Sequence, residues 1–400
     1  MLNLPSFKKT YEDSNRFLTL NINAKDVKCL SFYLDGDIFK ITGFGSQDLP
    51  EGCVRNGMIL DQDTVVEAIK TSVEIANRDS VEKIKKVIVG IDGGVTTGIT
   101  TTLRMKRPTA EPITPDEVKT LYEKVSEIAF TQAKNRIIES TGDPGLDLQT
   151  ITTSDVYIKI DGQKVAVLEG QRGQNVEIAV FNSFVPDFHI KSLQDSIKKA
   201  HLDMVAIGSQ MYSLVEWIKS AQEESLDFVF INISEDSTDV GAIFGGGITS
   251  TRSLNIGYNH FIESIINKMG LPRKSAESVV KMYNAGKLSE SEASVIKTCL
   301  KEIIDIWVDG LKILFEDFTG VKTFSSKIYV SGCGVDIKDV MEALQEADWT
   351  KTVPFKDSPV FNKVSFMENG KIINSTDQEL TTDWIYLAST SIIYKEIIGG

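Results

Sequence analysis

The chain has 400 residues, 42% hydrophobic and 25% charged, with 43 Lys and Arg against 56 Asp and Glu and a formal charge of −13. This is the composition of a soluble folded protein, and the length predicts two to four subdomains rather than one compact core. The acidic field excludes nucleic acid as a general partner and repels anionic lipid, so a membrane is expected to be reached only indirectly, through a partner.

No apolar run reaches transmembrane length, and the opening MLNLPSFKKTYEDSNR lacks the apolar core of a signal peptide. A cytoplasmic location follows as an expectation. Cys29, Cys53, Cys299 and Cys333 show no paired metal-ligand spacing and suit a reducing compartment. His189, His201 and His260 lie far apart in sequence, so no His-based metal site is expected.

Residues 1–16 are polar and read as loosely attached. Phe17 opens three strands, with turns at Asn21 to Lys25 and at Asp35-Gly36, the second a strong hairpin signal. Asp61 is the expected N-cap of a helix in which Val65, Ala68, Ile69 and Val73 recur at helical spacing. Lys86 to Ile91 reads as a central strand that runs into Asp92-Gly93-Gly94. After residue 104, RMKRPTAEP is polar and contains proline, the kind of stretch that marks a boundary. Thr114-Pro115-Asp116-Glu117 then predicts a helix start with a capping box, and Val118, Leu121, Val125, Ile128 and Ala129 form its stripe. The segments DLQTITTSDVYIKIDGQKVAVLEG and NVEIAVFNSF read as strands, with a hairpin turn at Asp161-Gly162. One helix and several strands make a small α+β unit at 105–184.

Ile190 to Ala200 and Gln210 to Ser220 are expected to be helices flanking a short strand, with Met211, Leu214, Val215 and Ile218 facing a core. Next comes the stretch with the most chemistry. Phe228 to Ile231 is a buried strand, Asn232 to Thr238 a polar turn, and Asp239 leads into a second apolar run closed by Gly245-Gly246-Gly247. Amides and hydroxyls in such a hairpin can cradle an oxyanion while a carboxylate holds its metal ion; a plain surface hairpin is the alternative. Tyr258 to Met269 is helical, and Ser289 to Phe318 is a long amphipathic helix or a helix pair. Lys327 to Val330 is a strand that turns through Ser331-Gly332-Cys333-Gly334 into a helix, a spacing also seen in dinucleotide sites. The tail holds short strands and an apolar helix, Trp384 to Tyr394.

In this order the motifs resemble the actin-like ATPase superfamily, and within it the FtsA family of division proteins and the PilM family of pilus assembly proteins. The superfamily's second phosphate loop, Asp-x-Gly-x-x-Thr-Thr-Asp, is met by Asn232, Ser234, Ser237, Thr238 and Asp239. Its first loop, Asp-Ile-Gly-Thr-Ser-x-Val-Lys, is met by Asn21-Ile22-Asn23-Ala24-Lys25-Asp26-Val27-Lys28, with the acidic residue and the glycine replaced. Gly52 to Asp61 resembles the FtsA segment before its first long helix. Ala276-Glu277 with Lys281 to Gly286 resembles the FtsA pattern Ala-Glu-x-x-Lys-x-x-Tyr-Gly, in which the glutamate and lysine approach the nucleoside sugar. An i,i+4 surface pair of Glu277 with Lys281 is the plain alternative. The turn at Gly332 and Gly334 corresponds to the one that lies against the adenine, and Gly257 closes the hairpin stretch.

The resemblance implies an α/β, two-lobed actin-like ATPase (ribonuclease H-like) fold with an inserted small α+β subdomain of SHS2 type. Residues 1–104 and 185–225 would form the first lobe, 105–184 the insert, and 226–400 the second lobe with a helical subdomain near 258–325. It implies ATP with Mg²⁺ as cofactor, bound by Asn21, Asn23, Lys25, Asn232, Ser234, Ser237, Thr238, Asp239, Gly257, Glu277, Lys281, Gly332 and Gly334, with Asp239 as the metal ligand. Amides at Asn21 and Asn232 remove charge that would retain Mg²⁺, so weak or lost hydrolysis is expected and no catalytic residue is assigned.

Two functions follow from the resemblance. One is an FtsA-like scaffold that self-associates and recruits partners in bacterial cell division. The other is a PilM-like adaptor that binds the short cytoplasmic tail of a membrane-anchored pilus protein near the inserted unit. No amphipathic membrane-targeting helix of the FtsA kind follows Ile398-Gly399-Gly400, which favours the adaptor. A true ATPase or sugar kinase would need the missing carboxylates.

Overall fold

The computed structural model describes residues 15–55, 57–80, 82–220, 226–318, 320–346, 348–364 and 371–398. Most of the N-terminal segment expected to be loose lies outside these residues. The chain opens with β1 (Arg16–Ile22), β2 (Asp26–Asp35) and β3 (Ile38–Asp48), followed by α1 (Gln62–Ala76) and β4 (Lys86–Ile91). A second unit holds β5 (Thr97–Lys106), α2 (Pro115–Thr141), β6 (Leu148–Ile160), β7 (Gln163–Val165) and β8 (Asn175–Pro186). Then α3 (Asp187–Lys199), β9 (Asp203–Ser209) and α4 (Gln210–Ser220) return to the first sheet. The second half runs β10 (Phe228–Ile233), β11 (Thr238–Phe244), β12 (Gly247–Leu254), α5 (Tyr258–Met269), α6 (Arg273–Asn284), α7 (Glu290–Glu316), β13 (Lys327–Ser331) and α8 (Lys338–Glu346). It ends with β14 (Val360–Lys363), β15 (Ile372–Asn374), α9 (Thr382–Ser389) and α10 (Ile392–Ile398).

Both lobes repeat one plan. In the first, the order is β9-β4-β1-β2-β3-β15: an antiparallel meander, β1-β2-β3, extended by parallel strands from β1. In the second, β12-β11-β10-β13-β14 is the same meander, β10-β11-β12, extended in parallel from β10. The strands β4 and β10 are almost uniformly apolar, as strands covered on both faces must be. Equal plans place the β1–β2 turn and the β10–β11 turn at equivalent corners, where they meet across the cleft.

Local signals behave as their chemistry dictates. Asp61 accepts from the Thr64 amide, and Thr114 with Glu117 closes a full capping box behind Pro115. Asp61→Ala is expected to cost about 1 kcal/mol in denaturant unfolding; no change in midpoint would show that the first turn of α1 is held by packing alone. Asp161 and Gly162 have φ of 48° and 84°, the left-handed pair of a type I′ hairpin turn. The stretch read as a helix or a helix pair is one helix, α7, whose buried face carries Ile296, Leu300, Ile304, Trp307, Leu311 and Leu314. Ile128, placed on the apolar stripe of α2, is 39% exposed; the stripe turns inward through Val125 and Ala129 instead.

Three features depart from the expected layout. The small sheet, in order β5-β8-β6-β7, begins at Thr97 and runs through the expected boundary at 105, because β5 pairs with β8 from Thr97 to Lys106. Its polar, half-buried pattern carried no strand signal. The C-terminal segment also leaves the second lobe: β15 adds to β3, Tyr394 stacks on Phe17 at 4.0 Å, and Lys395 pairs with Asp37. Finally, the apolar helix expected over Trp384 to Tyr394 is two helices. Thr390 and Ser391 turn their hydroxyls back onto the carbonyls of Tyr386 and Ala388 at the break. No helix among the described residues is long and apolar enough to cross a membrane.

Candidate functional site

The two corner turns build the site. In the first, the Asn23 amide donates to the Asp26 carbonyl at 2.9 Å, and a side-chain chain links Asn21 to Asn23 and Asn23 to Asp26. In the second, the Ser234 amide donates to the Ser237 carbonyl at 2.9 Å. The start of α5 fixes that turn from behind: the Tyr258 and Asn259 amides donate to the Ser234 and Glu235 carbonyls, and the Asn259 side chain holds Asp236. Free amides at a helix start are natural donors to such carbonyls.

Between the turns lies a cavity of about 200 Å³. Asn21, Asn23, Lys25, Asn232, Ser234, Lys281 and Gly332 line it, so seven of the thirteen expected site residues come together there. Gly332, with φ of 92°, tucks its backbone against β10, where a Cβ would fall 2.2 Å from the Ile233 carbonyl oxygen. Behind the turns, a hollow of only about 20 Å³ touches Ser237, Ala24, Asp92 and Asp236.

The other expected residues have structural work instead. Thr238 accepts a hydrogen bond from the buried Trp307 indole and donates to the Ile256 carbonyl. Asp239, the expected metal ligand, is 1% exposed and lies outside the cavity lining. It accepts from the Ser253 hydroxyl at 2.5 Å and sits against Gly93 of the first lobe, where a Cβ would fall 2.3 Å from the carboxyl carbon. Among the described residues no group of three His, Cys, Asp or Glu is placed to hold a metal ion. Gly257 packs under the second turn, and Gly334 rests on the Ile233 side chain. Glu277 makes no pair with Lys281. It bridges the lobes to Lys25 at 3.2 Å and also meets Arg273 at 3.4 Å, because the cleft brings Lys25 over α6.

The sequence reading missed the carboxylates that replace those lost from the motifs. Asp26, Asp92 and Glu235 all line the cavity, with Asp336 and Asp383 nearer its mouth. Desolvation, followed by the charges of Asp239 and Asp236, pushes Asp92 up to about 7. Desolvation and Asp26 push Glu235 up to about 8. Lys28 is desolvated, yet Asp26 at 3.5 Å and Asp383 at 3.8 Å hold its ammonium above its ordinary value. The signal for Glu235 was available, since it stands inside the polar turn; Asp92 directly follows the apolar strand β4. Two of the lining residues, Asn232 and Gln210, each hold a buried polar atom, Oδ1 and Nε2, with no hydrogen-bond partner among the described residues.

These residues do not fit ATP with Mg²⁺. A triphosphate needs free amides and cations around it. Here the Ala24 amide already donates to Glu235, and Lys25 and Lys28 are paired with carboxylates. Counting the cavity wall, Asp26, Asp92, Glu235, Asp336 and Asp383 face Lys25, Lys28 and Lys281. No hydrolytic step follows from that balance.

Two lobes of one repeated plan, a cleft between their meander turns and a small unit inserted after β4 define the actin-like ATPase fold. Among solved structures, a chain of the PilM-PilN type IV pilus biogenesis complex superposes with a TM-score of 0.67 and 16% identity, over 94% of this chain and 97% of that one. The ethanolamine utilization protein EutJ from Carboxydothermus hydrogenoformans matches at a TM-score of 0.51 and 10% identity, over 95% and 90% of the two chains. MreB5 of Spiroplasma citri bound to AMPPNP gives 0.47 and 14% over 97% and 98%. No protein-family model matches the chain, and no curated protein is significantly similar to it in sequence.

Proposed function

We propose that this chain is an actin-like scaffold that works as an adaptor of the PilM-like kind. On this reading it holds a short cytoplasmic tail of a membrane-anchored assembly protein and does not turn over ATP. The observation that carries the reading is end-to-end similarity to a chain solved within a partner complex, at a TM-score of 0.67. The cleft supports it from the chemical side, since Lys25 and Lys28 are already paired with carboxylates. The inserted unit, read as SHS2-type, flanks the groove offered to the tail, and the partner brings the protein to the inner face of the membrane.

A self-associating division scaffold is the second reading. It is favoured by the segment containing Glu277 and Lys281, both of which stand at the cleft. Cross-linking in the native host, read by mass spectrometry, separates the two. The adaptor reading expects cross-links from residues of 97–186 to one short cytoplasmic tail, with phosphate release at background. Cross-links joining copies of this chain lobe to lobe, with sedimenting polymers, would favour the division scaffold. Turnover in the ordinary enzyme range of about 1–10³ s⁻¹ would overturn both.

A further inference from the structure

The two turns that frame the cleft do not merely approach one another; they are joined. The Ala24 amide of the first turn donates to Glu235 Oε2 of the second at 3.1 Å, across 211 residues of sequence. One step along the first turn, Lys25 reaches Glu277 on α6 at 3.2 Å. A backbone amide on a tight turn is where an anion binds in such corners, because the turn's amides present partial positive charge and no side chain intervenes. In this chain that position is filled by a carboxylate from the facing lobe.

The space around it agrees. On the side of Ala24, Glu235, Asp236 and Ser237 only about 20 Å³ remains, whereas about 200 Å³ is open on the side of Tyr258, Val280, Lys281 and Gly332. The larger compartment falls short of the roughly 300 Å³ at which ordinary cofactor pockets begin. Two of its lining residues also each hold a buried side-chain atom with no hydrogen-bond partner among the described residues, Asn232 Oδ1 and Gln210 Nε2.

We propose that Glu235 occupies, from within the chain, the anion seat between the two lobes, so that the cleft admits uncharged molecules of nucleoside size and excludes polyphosphates. This deepens the scaffold reading but is separable from it: the cleft can be selective whether or not the protein carries a partner's tail. The Glu235 carboxyl acts in two ways. It uses the amide a phosphate would need, and its side chain fills the space in which a phosphate would sit.

Calorimetric titration of the full chain with adenosine and, separately, with ATP and Mg²⁺ tests the idea. The wild-type protein is expected to bind adenosine at least tenfold more tightly than ATP with Mg²⁺. Glu235→Ala, which empties the seat, should move that ratio at least tenfold towards ATP. Glu235→Gln keeps an oxygen on the Ala24 amide and should stay within threefold of wild type, which also controls for folding. Tighter wild-type binding of ATP than of adenosine overturns the proposal, as does an unchanged ratio in Glu235→Ala. Absence of adenosine binding at millimolar concentration overturns the assigned ligand class. Equal gains in both variants would overturn the seat and leave charge alone as the cause. The scaffold reading fails on different grounds, through ATP turnover or the cross-links above.

Discussion

Trp307→Ala will cost the second lobe about 4 kcal/mol, the middle of the range for deleting a fully buried Trp or Phe. Trp307 is fully buried at the centre of α7, packed edge-to-face on Phe261 with ring centroids 5.9 Å apart. Its indole also donates to Thr238 Oγ1 at 2.9 Å, the first residue of β11 and the end of the cleft turn. The substitution therefore opens a cavity between helix and sheet and releases the strand that carries Asp239. Trp307→Phe keeps most of the volume and loses the hydrogen bond, so its expected cost is smaller, about 1–2 kcal/mol. Thr238 retains its bond to the Ile256 carbonyl in either variant. Denaturant unfolding, followed by tryptophan-independent far-UV dichroism, measures both. A loss below about 1 kcal/mol for Trp307→Ala would mean that α5 and α7 close over the gap.

That the motif threonine is a structural residue shows where the sequence was legible and where it was not. Strand and helix positions followed from local chemistry: β4, α4 and α5 fall on the predicted residues, and the caps at Asp61 and Thr114 form as their side chains dictate. The two-lobed fold was legible because the order of those elements is itself a pattern. What local reading could not supply was pairing at long range. β15 joins β3 across more than 300 positions, and nothing in Ile372–Asn374 specifies that edge. The β5 strand was hidden for a different reason: one face is solvated and Thr-rich, so its apolar alternation is weak.

The site divided along the same line. Residues adjacent to the turns, such as Asn21, Asn23, Asn232 and Ser234, were placed by their motif and do line the cleft. The charge balance was not legible, because the motif argument counted carboxylates lost at Asn21 and Asn232 and could not see Asp26, Asp92 and Glu235 arriving from other positions. Those three change the conclusion: the cleft does not lack carboxyl groups, and one of them, Glu235, already holds the amide that a phosphate would need. Glu277 illustrates the same limit at one residue. On a lone helix it would meet Lys281, yet the facing lobe offers Lys25, and the interlobe pair forms instead.

Asp239→Asn will stabilise the protein at pH 8 by about 2–3 kcal/mol and leave it nearly unchanged near pH 4. Desolvation raises the buried carboxyl to about 6, against the hydrogen bonds of Ser253, Ser237 and Asn232 that favour its charged form. A carboxyl raised on folding binds its proton more tightly in the native state. Its stabilising contribution is therefore complete below the unfolded value near 4 and is lost as pH rises through about 6. The rise from near 4 to about 6 corresponds to about 3 kcal/mol at most, fully expressed above pH 7. The amide is nearly isosteric, so it keeps the acceptor for Ser253 and the close fit on Gly93. It also removes the charge that pushes Asp92 up across the lobe boundary, so the wild-type loss of stability between pH 5 and 8 should flatten. Thermal melts of the two proteins at half-unit steps over that range provide the measurement. The opposite result, an Asp239→Asn protein that melts lower at pH 8, would mean that Asp239 is held ionised by a positive partner. A bound cation would then regain its claim on that carboxylate, and the melts repeated with and without Mg²⁺ would identify it.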